Sequence, residues 1–469
     1  MVCRKSAGVS TRSVGKPRTW GRAWGCTNLC GETLMDKTKS EFSMGTKLQR
    51  INKLSISDPG MKFKWLMPHF SKENLIRCFH ELDGRKAVGI DKTTKEEYGR
   101  NLETNIEALI VRMKSMSYRP RPAREVLIPK DDGKMRPLGI ACIEDKIVQS
   151  MFARVLEAIY EPIFMGCSFG FRPKRNCHQM IAGVHSYLYS QWRPVVLDVD
   201  LENFFGTIDH AKLISILRLK ITDETFLRYV TRMLKSGILS GEGFRPSDEG
   251  TPQGSVCSPI LANIFAHYAI DVWVEHTVRK HCPSARLFRY CDDFVICCAN
   301  KSEAERVMAV LPKRLERFGL RINESKSKLV VMDKASASRG DRQGSFDLLG
   351  FTFYLGTTRR GTYIPMLQTS RKRFSKKLKL INQWIKRQRH QVRMLDLWKA
   401  LQDKLRGHVQ YYGVSHNTAF LSRFIVRATK LFFKWMNRRS QKRSLTWEKF
   451  QIFVARYPTV KESIPHRLF

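Results

Sequence analysis

An α+β fold, a mixed sheet-and-helix body followed by a wholly helical C-terminal part, is the fold class this sequence predicts. Three observations predict it. Strand-like runs bounded by turn residues recur between residues 124 and 354, helical apolar spacing fills the stretches between them, and beyond Thr369 only the helical spacing remains. At 469 residues and 42% hydrophobic content the chain can bury more than one core, so two or three domains are expected.

Residues 1–45 are rich in Gly, Ser, Thr, Lys and Arg without sustained periodicity, and read as a flexible basic arm. Apolar residues then recur at helical spacing over 73–82 and 103–116, as in Ile106, Leu109, Ile110 and Met113, with the loop Ala87–Asp91 between. A strand at 124–129, a turn at Asp131-Asp132-Gly133 and a strand at 135–140 make a hairpin carrying Lys130, Lys134 and Arg136. Ile147, Met151, Val155 and Ile159 keep a helical step over 146–160, an acidic strand covers 195–201, and two short helices reach about 236. The Gly-, Pro- and Ser-dense loop 249–259 precedes an apolar helix from Ile260 to about Val278. A hairpin at Asp292-Asp293, a helix over 302–317 and a strand pair over 345–354 complete the body.

Chemistry concentrates in the apolar run 287–298, which contains Tyr290, Cys291, Asp292 and Asp293. Burying a carboxylate costs several kcal/mol, roughly, unless a cation or basic partner compensates it. Asp-Asp is also an ordinary turn dipeptide, and a hairpin tip explains it without chemistry. A second acidic strand adds to it: Asp198 and Asp200 alternate with apolar residues at period 2 and face one side. Such a strand beside such a hairpin can hold a pair of Mg²⁺ ions about 4 Å apart, the arrangement of in-line phosphoryl transfer. Hard oxygen donors without His or Cys neighbours favour Mg²⁺ over zinc.

The charge points to the substrate class. Lys and Arg number 83 against 43 Asp and Glu, a net charge of +40, which calls for a polyanionic partner. The excess is concentrated in residues 371–469, where the ratio is 25 to 4. Trp384, Tyr411, Tyr412, Phe432, Phe433 and Trp435 are interleaved with it, a mixture suited to stacking on unpaired bases, although their helical spacing marks most of them as core. No apolar stretch approaches membrane-span length and no signal-peptide apolar region opens the chain, so an intracellular protein is expected. Cys26 and Cys30 form an isolated pair without zinc-finger partners, and reduced, buried thiols are expected among the twelve cysteines.

Several motifs follow one another in a fixed order. They are Ile128-Pro129-Lys130 with Arg136–Ile140, Ser168–Pro173, Asp200–Phe205 with Ile208-Asp209-His210, and Gly250–Ser255 with Ser258-Pro259 and Asn263. Tyr290–Asp293, Gly319-Leu320 with Asn323 and Lys326, and Leu348–Phe351 complete the series. In that order they resemble the reverse transcriptases encoded by group II introns, which double as splicing maturases. The likeness runs from about Phe70 to the end. Arg406-Gly407 and Tyr411-Tyr412-Gly413 resemble the helical thumb, or maturase domain, of that family.

The resemblance implies a right-hand polymerase, with fingers and palm over 46–360, a thumb over 361–440 and a short basic tail over 441–469 as a reduced DNA-binding region. It implies that Asp200, Asp292 and Asp293 are catalytic and hold two Mg²⁺ ions, with Mn²⁺ as a substitute and the Leu201 carbonyl as an added ligand. Asp198, outside the matched motif, would support the site by hydrogen bonding. Lys130, Arg136, Phe205, Gln253 and Lys326 would meet the incoming nucleotide, Phe205 as a gate against a ribose 2′-hydroxyl. Gly254, Ser255, Arg172, Tyr290 and Arg406 would meet template and primer. The implied partners are a group II intron RNA, a DNA primer or target and dNTPs, in a bacterial cytoplasm or an organelle. Two departures stand out: Gly206 occupies a position where many relatives carry Asp, and no His-Asn-His nuclease module follows the thumb, so target cleavage is not expected. The family also leaves open a maturase acting mainly as an RNA binder, and a domesticated enzyme of DNA repair or phage defence.

Overall fold

The computed structural model describes residues 46–129, 135–341, 343–439 and 445–468. The expected arm over 1–45, with Cys26 and Cys30, lies outside them, as do Lys130, Lys134 and the Asp131–Gly133 turn. The described residues form a mixed α+β structure with three sheets, antiparallel but for one short parallel contact.

The central sheet has the order β6-β7-β3-β8, with β6 at Arg286–Tyr290, β7 at Asp293–Cys298, β3 at Val195–Val199 and β8 at Lys328–Val331. Alternation places its side chains in two different cores. Val195, Leu197 and Val199 of β3, with Phe294, Ile296 and Cys298 of β7, join the cluster formed by the helices of the body. Val196, Val295 and Cys297 join a second cluster with the helix Cys177–Ser190 and the C-terminal helices. Both faces are therefore covered, which explains the nearly continuous apolar sequence of β3 and β7. Asp198 shares the face of Val196, and Asp293 shares that of Val295, so the acidic residues point toward the second cluster.

A second sheet, β2-β1-β4-β5, is built on β1 (Ala123–Pro129) paired with β2 (Met135–Ile140) and flanked by β4 (Ile238–Ser240) and β5 (Gly243–Arg245). The third contains β9 (Phe346–Leu348), β10 (Phe351–Thr357) and β11 (Tyr363–Thr369). β11 pairs along its whole length with β10, so the body runs to Thr369 and the expected boundary at 360 cuts through a sheet.

The expected helix over 260–278 begins as Ser258–Ala266 but continues as two π-helical segments, His267–Asp271 and Val274–Val278. Beyond β11 come helices Arg371–Gln388, Met394–Tyr412, Thr418–Met436 and Trp447–Arg456. Trp384, Tyr412, Phe432 and Trp435 are buried there, which bears out their reading as core. The segment after 456 runs back along Met394–Tyr412 rather than standing free: Trp398 Nε1 donates to the Tyr457 carbonyl at 3.0 Å, and His466 stacks on His178 at 3.5 Å. The described cysteines are all free, and all but Cys167 are buried. No helix among the described residues is long and apolar enough to cross a membrane.

Candidate active site

β6 and β7 are joined by a two-residue turn, Cys291 and Asp292, closed by the pair Tyr290 and Asp293. Val199 pairs with Phe294, so the next step of the register sets Asp200 beside Asp293. Sheet geometry thus brings Asp198, Asp200 and Asp293 to one face, with Asp292 at the adjoining tip.

Asp200 is gripped by the loop that follows the helix Lys301–Glu316. Its N–H donates to Ser327 Oγ at 3.0 Å, its carbonyl accepts from the Asn323 N–H at 2.8 Å, and Lys326 Nζ donates to its Oδ2 at 3.2 Å. Leu201 is buried and bridges to Ile322.

Asp292 is half-buried and Asp293 keeps exposed surface, yet both carboxyls stand among densely packed protein atoms. Burial, then Asp292, Asp200 and Asp198, push the Asp293 carboxyl up to about 7, with Arg373 opposing. Asp292 moves up from burial chiefly, with Arg136 opposing and Asp200 adding to the rise. Asp198 is pushed up to about 6 by burial, with Asp347 and Asp200 adding and Lys328 opposing. Carboxylates raised by acidic neighbours mark a site short of positive charge. Their donors are all hard oxygens, which fits Mg²⁺. Among the described residues no group of three or more His, Cys, Asp or Glu side chains is arranged to hold a metal ion.

The structure brings Arg136 into this field. It stands on β2 opposite Ile128, and its Nε is buried without a hydrogen-bond partner among the described residues. The loop 250–255 is clamped against the same strand. The Gly139 N–H donates to the Gln253 carbonyl at 2.7 Å, and a Cβ on Gly254, at φ 109°, would lie 2.6 Å from the Gly139 carbonyl oxygen. The glycine at 254 therefore serves a close approach within the protein at a positive φ. Ser255 stays in that loop, its Oγ accepting from the Cys257 N–H at 3.3 Å.

Phe205 is buried and packs edge-on to Phe204, while its carbonyl accepts from the Thr251 N–H at 2.7 Å. A Cβ on Gly206 would meet the end of the exposed Asn203 side chain. Tyr290 is half-buried, its ring 6.4 Å from that of Phe171. Arg406 is exposed on the helix Met394–Tyr412 and ion-pairs with Asp403, away from the acidic cluster in sequence and element.

Arg172 requires a correction. Its guanidinium is 5% exposed and bonded to the Glu161 carboxylate and to the carbonyls of Met165 and Ser168, so it holds a loop together and presents no free charge to template or primer. The sequence reading also passed over Arg289, Asp271 and Arg373. An arginine inside the apolar run of β6 was the available signal for the first.

Comparison with known proteins places this geometry in context. A family model described as reverse transcriptase (RNA-dependent DNA polymerase) matches residues 128–353. Protein YkfC of Escherichia coli (strain K12) is 31% identical over 311 residues, covering 58% of this chain and 81% of that protein. The group II intron-encoded protein LtrA of Lactococcus lactis subsp. cremoris is 38% identical over 186 residues, 39% of this chain and 30% of that protein. An uncharacterized 91 kDa protein in the cob intron of Schizosaccharomyces pombe is 39% identical over 172 residues, 36% of this chain and 21% of that protein. The chain thus spans less than a third of these two intron-encoded relatives.

Proposed function

Because the chain belongs to the group II intron reverse transcriptase/maturase family and is an RNA-directed DNA polymerase of that kind, we propose that Asp200, Asp292 and Asp293 form its nucleotidyl-transfer centre. The observation that carries this reading is the strand register that sets Asp200 beside Asp293, with Asp292 at the adjoining tip, where burial and acidic neighbours push the Asp292 and Asp293 carboxyls up. These three would hold two Mg²⁺ ions, with the Leu201 carbonyl as an added ligand and Mn²⁺ as a substitute. When bound, the ions supply activation of the primer 3′-hydroxyl and neutralisation of the departing pyrophosphate.

The protein's own groups supply position. Arg136, beside Asp292 with an unpartnered Nε, is suited to bidentate contact with the incoming triphosphate, with Lys130 as its neighbour in sequence. Lys326 covers Asp200 and would move to the pyrophosphate once metal takes its place. Gln253 and Ser255 would shape the floor under the templating base pair, and Tyr290 would meet the primer end. Phe205, with its buried ring, would limit room for a ribose 2′-hydroxyl. Asp198 keeps a supporting role.

In this reading the central sheet is the palm, the sheet of β1 and β2 the fingers, and the helices after Thr369 the thumb and maturase surface. Arg406 and the other basic residues of those helices would grip a group II intron RNA and a DNA primer or target. Primer extension on poly(rA) with oligo(dT) and dNTPs tests the reading. The expected result is Mg²⁺-dependent synthesis that Asp292→Asn abolishes; synthesis by that variant at the wild-type rate would overturn it.

A further inference from the structure

Arg289 lies in β6, three residues before Asp292, and is wholly buried. Every guanidinium donor has a partner. Nε donates to Asp271 Oδ1 at 2.7 Å and Nη2 to Asp271 Oδ2 at 2.6 Å. Nη2 also reaches Ser168 Oγ at 2.9 Å, while Nη1 donates to Asn263 Oδ1 at 3.0 Å and to the Cys291 carbonyl at 3.1 Å. That uses all five N–H groups of an arginine, including a two-pronged grip on one carboxylate.

The bond to Cys291 falls on the least comfortable residue of the acidic turn. Cys291 has φ 63°, a left-handed conformation that side chains other than glycine avoid. Such a conformation persists where the surroundings over-determine it. Here the surroundings press from two sides. Arg289 holds the Cys291 carbonyl, and Gly170 approaches so closely that a Cβ on it would lie 2.6 Å from the Cys291 nitrogen. Asn263, already bonded to Arg289, fixes Gly170 through its carbonyl at 2.7 Å. Asp271 closes the π-helical segment His267–Asp271, so the widening of that helix accompanies the placement of the carboxylate that grips Arg289.

We propose that Arg289 is a positioning residue for nucleotidyl transfer: through the Cys291 carbonyl it fixes the turn presenting Asp292 and Asp293, and so sets the spacing at which divalent cations are held. The inference rests on the reading of those two carboxylates as metal ligands. It links three distant stretches of sequence, Ser168–Gly170, Ser258–Asp271 and β6, to the geometry of one turn. A mere core ion pair would make a different prediction, because it would contribute to folding and leave metal affinity alone.

The test uses the full chain, with Mn²⁺ binding followed by electron paramagnetic resonance in the absence of nucleic acid and nucleotide. The double variant Arg289→Met with Asp271→Leu removes both buried charges together, so no unpaired ion is left to unfold the protein. The expected result is a folded protein whose Mn²⁺ affinity falls about 10- to 100-fold, with a similar loss in primer-extension kcat and little change in KM for primer–template. A folded double variant that binds Mn²⁺ as wild type would overturn the proposal. Ser168→Ala, which removes a single bond, serves if the double variant does not fold: weakened Mn²⁺ binding at an unchanged melting temperature supports the proposal, and unchanged binding overturns it. Asp292→Asn separates the two levels. Wild-type Mn²⁺ binding by that variant would sink the metal-site reading itself, whereas lost binding there with intact binding in the Arg289 variants would sink only the positioning role.

Discussion

Asp293, a proposed metal ligand, is opposed in its charged form by its acidic neighbours. Its carboxyl titrates near 7 rather than near 3.8, so above that pH the folded chain holds a charge its surroundings oppose. The unfolded chain keeps the ordinary value, so the deficit is present at pH 8 and fades as pH falls through 7 toward 4. Asp293→Asn should therefore lose primer extension yet melt at a higher temperature than wild type in metal-free buffer at pH 8, the advantage shrinking at pH 5. Gly206 supplies a second prediction. Replacing it with Asp would press only on the exposed side chain of Asn203, which can turn aside, and should change stability by less than about 1 kcal/mol, read from a denaturant midpoint. Sequence made the acidic residues legible because charges interrupted apolar strands. It misjudged Arg172, since whether a loop arginine points outward depends on partners such as Glu161 and the Ser168 carbonyl that only folding brings near.

Short-range patterns dominate at the level of elements. Met135–Ile140 matches its expected bounds, and Ile143–Tyr160 and Lys301–Glu316 differ from theirs by a few residues, because period and turn chemistry are local properties. The helix Cys177–Ser190 went unread although Asn176 and Gln179 form a reciprocal capping box at its start. β8 was missed for another reason: Lys328–Val331 is short and finds its identity only by pairing with β3. The π-helical segments after Ala266 were not legible, because an apolar helix carries no local mark of where it will widen. For the clamped loop, Gly254→Ala should be harmful twice over, through φ 109° and through the contact with the Gly139 carbonyl. We expect a fold that survives and a KM for dNTP raised severalfold, measured by steady-state extension.

For the whole molecule, the charge of +40 predicts RNA affinity that falls steeply and linearly on a log–log plot against salt, as filter binding would register. Protons act on the folded state through histidines. Burial lowers His185 and His408, and it takes His178 down to about 4. These rings stay neutral in the fold while the unfolded chain takes up protons near 6.5, so their contribution is intact above 6.5 and is lost progressively as pH falls toward 4. Among the described residues neither ring nitrogen of His408 has a hydrogen-bond partner, and the ring stacks 3.7 Å from Phe424, so His408→Phe should raise the melting temperature most at pH 5. The order of elements was legible in outline, mixed strands and helices and then helices alone. The boundary was misplaced because β11 pairs across it, a long-range fact.

The two hydrophobic clusters meet on opposite faces of the same strands, Leu197 belonging to one and Val196 to the other. Neither can melt without stripping a face from β3 and β7, so their thermal transitions are coupled despite the chain's size. Calorimetry should trace one cooperative endotherm through both, and hydrogen exchange in the helix Met394–Tyr412, which belongs to the second cluster, should open together with that of β3 rather than before it.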